Sequence, residues 1–300
     1  MAVAGLAKRV AVAWRRARRR HGWLDHLVRA AVRYDQADGG RLAAAVTYYA
    51  FFATFALLLL GFAVFGFVLD DPAVLGTVQR YLTENLPRLD VQELRNARGT
   101  VGVIAFIGLP ITGWFWIDSL RSSIRAIWQL PEYPGTLLVR VLVDLLVLVG
   151  LGILLAASLA VAFATTAAAG QLVTAAGTGD TAAGWLLAAV GFVLGAGVNT
   201  LLSIAVLTAL PRLRMPLRRV LPPALLVAAG LEVLKTLGRL YVQRVEANAT
   251  YLVVAGAVGL LVFLNVVNQL LLFAATLTAT SAAGQVTDLA APRRRGVGPP

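Results

Sequence analysis

The chain has no cysteine, which excludes disulfide staples, thiolate nucleophiles and Cys-ligated metal sites. Its two histidines, His21 and His26, fall near the N-terminus, outside every long apolar run. Converging His, Asp and Glu ligands are therefore missing, and neither a metal nor a cofactor is expected. Charge is also scarce. Only 14% of residues are charged and 59% are hydrophobic, against about 25% and about 45–50% in soluble domains. Lysine nearly vanishes: of 27 basic residues only Lys8 and Lys235 are lysine, a bias typical of an Arg-rich, high-GC bacterial genome.

What is present is long blocks of apolar sequence nearly free of charge, as in membrane proteins that cross the bilayer several times. A crossing helix needs about 20 apolar residues. Six such blocks are found, at about 42–69, 100–120, 137–166, 183–210, 220–241 and 251–280. The first is too long for the 7–15-residue core of a signal peptide. The expected fold is all-α and polytopic, a bundle of six transmembrane helices over 42–283. A basic arm, 1–41, precedes it and a basic tail, 284–300, follows.

Basic residues set the orientation of such a bundle. Ten lie in the arm, three between Arg121 and Arg140, four in 211–219 and three in the tail at Arg293, Arg294 and Arg295. All 20 fall on one side if the spans alternate, which predicts both termini in the cytoplasm. The net charge of +12 is thereby explained without nucleic acid, for which no aromatic-interleaved basic groove appears. Membrane lipids, anionic on the cytoplasmic face, are the expected partners, at about 1 kcal/mol per basic residue.

Local signals fill in the connections. Leu24, Leu27, Val28 and Ala31 fall at helical spacing in the arm, a short amphipathic helix suited to a membrane surface. Asp71-Pro72 followed by Val74, Leu75, Val78 and Tyr81 predicts another in the first loop, ended by polar residues 87–99. Ala43, Thr47, Ala50, Thr54 and Gly61 trace a stripe of small residues, which lets helices approach closely in lipid. Gly191 and Gly195 form a GxxxG pattern, read as packing within the bundle. Leu130-Pro131 before Arg140-Val141-Leu142 echoes Leu210-Pro211 before Arg219-Val220-Leu221, and chance similarity accounts for it better than an internal repeat.

Ionisable and polar residues within the spans are the candidate sites. Glu232 and Lys235 lie near the middle of the fifth, three apart and on one face, so they can pair. Charges at that depth cost about 2.5–3.5 kcal/mol each and mark a substrate or proton path by default. The competing reading is a structural ion pair, worth little net stability. Asn265, Asn268, Gln269, Thr276 and Thr280 share a side of the sixth span, lining a polar cavity or bonding between helices. Asp118, Arg121 and Arg125 fall on one face at the cytoplasmic interface. A solvated or headgroup-facing patch is the first reading for them and a gate the second. Pro110, between Gly108 and Gly113, interrupts the second span as binding-site helices of transporters are interrupted, though a plain kink is at least as common. Arg140 and Asp144, four apart, are expected to pair.

Several of these stretches resemble a known family. Arg41-Leu42-Ala43-Ala44-Ala45-Val46-Thr47-Tyr48-Tyr49-Ala50 is similar to the start of the first helix in the YihY/BrkB family of bacterial inner-membrane proteins. The run from Trp114 to Trp128, WFWIDSLRSSIRAIW, resembles the end of that family's second helix, especially in its YhjD-like branch. Leu210-Pro211-Arg212, Leu231 to Lys235 and Leu260 to Thr280 match in the same order, so the likeness covers about 30–285. Where the family often has Ser and Pro late in the first motif, this chain has Ala53 and Ala56. The resemblance implies an inner-membrane protein for which transport, lipid flipping, envelope support and ribonuclease activity have been discussed. Transporter or flippase is the first expectation and a non-transporting envelope scaffold the alternative. A nuclease lacks its ligands here, and no enzymatic activity is expected.

Overall fold

Backbone polar groups in a bilayer must be satisfied internally, which leaves helices or closed barrels as the spanning forms. Here they are helices. The structure, a computed structural model, describes residue 20 and residues 22–68, 91–133, 135–153, 181–245 and 252–291. Its elements are α1 (Gly22–Gln36), α2 (Gly39–Val68), α3 (Val91–Ile127), α4 over residues 137–153, and α5 (Thr181–Thr208). Then come β1 (Leu213–Arg214), α6 (Leu217–Val245), α7 (Leu252–Thr280) and β2 (Thr287–Asp288). Five helices, α2, α3, α5, α6 and α7, hold stretches long and apolar enough to cross a membrane. The first-loop helix expected near 74–86, the end of the third expected span and Arg293–Arg295 lie outside the described residues.

Cross-contacts bring one end of each long helix together. Tyr34 of α1 meets Phe273 of α7 at a centroid distance of 6.1 Å. Arg33 donates to the Ile127 carbonyl at the end of α3. Arg219 at the start of α6 donates to Thr278 near the end of α7. Consecutive helices thus alternate in direction, with the arginine-rich connections at one end. The buried core sits toward that end too: Val46, Ile124, Leu207, Val220 and Leu272 are all buried there. In lipid, close packing rather than release from water holds such a core together.

Three expectations are corrected. Residues 91–99 do not end a loop; they form the first turns of α3, which runs 37 residues. The small-residue stripe on α2 turns away from Gly61, which is exposed. Beyond Ala43, Thr47 and Ala50 it is continued by Ala53 and Ala56, 6% and 7% exposed. Those are the positions where the family resemblance departs, and small residues there let α3 pack closely. The arm helix α1 lies against the bundle rather than only on a membrane surface. Its inward face is His26, Ala30, Arg33 and Tyr34, while Ala31 is exposed. The start of the tail is docked as well, because β2 pairs antiparallel with β1.

The α1–α2 corner shows why the arm turns back. Asp38 takes a left-handed φ of 51°, which Asp tolerates better than most residues. At Gly39 a side chain would run into the Tyr34 ring, so only glycine lets α2 begin there.

Candidate functional site

Charges in this bundle occur in two settings, and their enclosure separates them. The first is a lattice at the arginine-rich end. Arg121 is fully buried, contacts Asp118 on its own helix, and places Nε 3.1 Å from Asp144 of α4. Arg140 turns to Asp118 at 3.5 Å, and Arg212 reaches Asp144 at 3.9 Å. Arg125, 1% exposed, grips Asp288 with two nitrogens at 2.8 and 3.1 Å. It also donates to the carbonyls of Pro131 at 2.6 Å and Pro211 at 2.8 Å. Arg219 donates to the carbonyls of Thr278, Ala279 and Gly284 and lies 5.2 Å over the Trp128 ring.

The sequence-based reading of Asp118, Arg121 and Arg125 as a solvated or headgroup-facing patch is therefore corrected. The loop between α3 and α4, the β1 segment and the tail close over them, and arginine's planar fork ties three chain segments at once. The expected Arg140–Asp144 pair is also replaced. Each residue finds a partner across helices, since α4 packs beside α3, which offers Asp118 and Arg121 at the same level. The Leu-Pro echo has no structural counterpart in these partners: Arg140 pairs with a carboxylate, whereas Arg219 caps helix carbonyls.

The second setting is mid-helix. Glu232 Oε1 accepts from Asn199 Nδ2 of α5 at 2.7 Å and from Lys235 Nζ at 2.9 Å. Gly195 faces it, with room that a larger residue would fill. The Glu232 side chain is 20% exposed and that of Lys235 44%. Close by, Asn268 and Asn265 donate to the Thr47 hydroxyl at 3.1 and 3.5 Å, and Gln269 donates to Asn265 at 2.6 Å. Gly230 packs on Leu270, so the two polar groups lie at one depth in adjacent helices. Thr276 and Thr280 instead bond back to their own helix. Pro110 stands apart from both groups, exposed on α3, with the nearby Gly108 carbonyl accepting from Thr112. No cluster of potential metal ligands occurs among the described residues.

Sequence reasoning missed Thr47, Asn199, Arg212, Arg219 and Asp288 as members of these groups. Thr47 and Asn199 were visible as polar residues within apolar helices. Asp288 had no local signal, because its partner lies 163 positions away.

A family model described as Virulence factor BrkB matches residues 30–296. The chain belongs to the BrkB family. Among curated relatives, the inner membrane protein YhjD of Escherichia coli (strain K12) is 27% identical over 276 residues, covering 86% of this chain and 81% of that protein. An uncharacterised protein of Dickeya dadantii (strain 3937) is 27% identical over 286 residues, 87% of each chain. No solved structure matches significantly. With its five membrane-length helices, this BrkB-family chain is a multi-pass inner-membrane protein.

One pH dependence of the BrkB-family chain follows from Asp288. Burial pushes its carboxyl up, but the Arg125 hydrogen bonds and the Ala290 N–H outweigh this, and it titrates below the usual carboxylate range. Its contribution is thus fully present above the unfolded value of about 3.9 and is lost as pH falls through the lower native value. Melting of the purified protein should show no effect of this group from neutral pH to about pH 5, then a decline below about pH 4. Asp288→Asn should start less stable and decline less over that last interval.

Proposed function

We propose that this protein is a transporter or lipid flippase whose path passes the Glu232–Lys235 pair, with Asn265, Asn268 and Gln269 beside it. The observation that carries this reading is a difference in enclosure. The arginine-rich lattice buries Arg121 and Asp144 to 0% and 1% exposure, as a structural network should. The mid-helix pair, within a candidate membrane span where charges are costly, is left partly open. A partly open pair can keep contact with water on a path, which spares it part of the desolvation cost that full closure would impose. The arginine-rich end is the cytoplasmic end in this reading, by the positive-inside rule. No enzymatic step is part of it.

The test is transport of lipids and small solutes in proteoliposomes, with and without an ion gradient. Glu232→Gln and Lys235→Met should each lower activity by at least about tenfold, as for other groups on an intramembrane path, while insertion and melting stay close to the parent. Parent-like activity in both variants would remove the pair from the mechanism.

A second reading, a non-transporting envelope scaffold that recruits anionic lipid or partner proteins through its basic arm, has one observation behind it. The α1 helix is anchored to the bundle by Arg33 and His26, a fixed base for the arginines that precede it. Removing α1 would damage the fold, so residues 1–19 are the segment to delete. Loss of envelope function on that deletion, with Glu232→Gln silent, favours the scaffold.

A further inference from the structure

A groove runs beside the turn that joins α5 to α6, and neither charge group described above fills it. Its volume is about 430 Å³, within the range of about 300–1,000 Å³ usual for small-ligand sites. Ile204, Leu213, Met215, Leu217, Val220 and Leu289 form most of its wall, and none of its lining residues is acidic. Leu217 and Leu289 are 66% and 64% exposed, so the wall opens outward at the end of two membrane helices. Arg212 and Arg214 both line the groove. Arg212 is drawn inward toward Asp144, its Nε and Nη2 without hydrogen bonds, whereas Arg214 is exposed and unpaired among the described residues. Leu217 is the first residue of α6, so the positive end of that helix dipole borders the groove as well.

A ligand for this place must be anionic at one end and greasy along its length. A free phosphate would leave the apolar wall uncovered, and a zwitterionic lipid such as phosphatidylcholine would bring its headgroup cation against Arg212 and Arg214 with no acidic lining residue to receive it. We propose that the groove holds one anionic phospholipid, with its phosphate on Arg214 and an acyl chain against Leu217, Met215 and Ile204. Arg212 lies behind and adds its field. The site stands whether or not the protein moves a solute, because it is separate from the Glu232–Lys235 pair and uses no residue of it.

The experiment is lipid retention by the full-length purified protein, read by native mass spectrometry and by melting temperature. Phosphatidylglycerol, phosphatidylcholine and inorganic phosphate are added separately. Phosphatidylglycerol should be retained and should raise the melting temperature, and the other two should do neither. Arg214→Gln should weaken phosphatidylglycerol retention by about fivefold, equivalent to about 1 kcal/mol, the usual worth of one basic residue at an anionic membrane surface. Because Arg214 has no partner among the described residues, the variant should melt like the parent when no lipid is added. Leu217→Asn should weaken retention through the chain contact while leaving Arg214 in place. Equal retention of phosphatidylcholine, or undiminished phosphatidylglycerol retention in Arg214→Gln, would overturn the proposal. Protection by phosphate alone as large as that by the lipid would overturn it too, reducing the groove to a simple anion site.

Discussion

Arg125→Ala is expected to cost about 3–5 kcal/mol and to leave little folded protein in detergent, the usual outcome when one partner of a buried ion pair is removed. The reason is local. Arg125 is 1% exposed and holds both oxygens of Asp288 while capping the Pro131 and Pro211 carbonyls. Without it a carboxylate and two carbonyls are stranded under the tail, and the β1–β2 pairing loses its anchor. Arg125→Lys should recover only part of the loss, since an ammonium cannot reproduce the two-pronged grip on Asp288 together with both carbonyl bonds. Size-exclusion profiles and melting curves of the purified variants measure this directly. A lysine variant as stable as the parent would mean that charge alone, and not the fork, holds the segments.

The Arg121–Asp144 pair should behave differently when both members go. Arg121→Leu or Asp144→Leu alone strands a charge in a closed space and should cost about 3–5 kcal/mol. The double replacement removes both ions at once and leaves Asp118 with Arg140, although Arg212 loses its contact with Asp144 in the double variant as in the Asp144 single. It should therefore cost at least about 1 kcal/mol less than the sum of the singles, as residues in one network do. Additive losses would show that each residue acts through separate contacts. The comparison also tests the functional assignment: lattice substitutions should change stability first, and Glu232→Gln should change activity first.

Several features were legible without any structure because they depend on short stretches of chain. Apolar length picks out the five membrane-length helices found among the described residues. The Glu232–Lys235 pairing follows from a spacing of three on one helix, and it forms at 2.9 Å. Residues that depend on distant partners were read less well. Arg121 and Arg125 look like an interfacial patch when only α3 is considered, because nothing nearby in sequence shows that the α3–α4 loop and the tail fold over them. Arg140 looks like the partner of Asp144 for the same reason, and the choice between an intrahelical and a cross-helix partner is made by packing.

From the sequence alone came a polytopic, all-α membrane chain of the BrkB type with its basic residues gathered at one end, since length, hydropathy and charge act on each segment separately. Only the tertiary structure decided which charges are sealed and which stay open. Burial is a property of neighbours: helices and tail must be assembled before Arg121 is enclosed, Glu232 left partly exposed, and Arg214 set exposed beside an apolar groove.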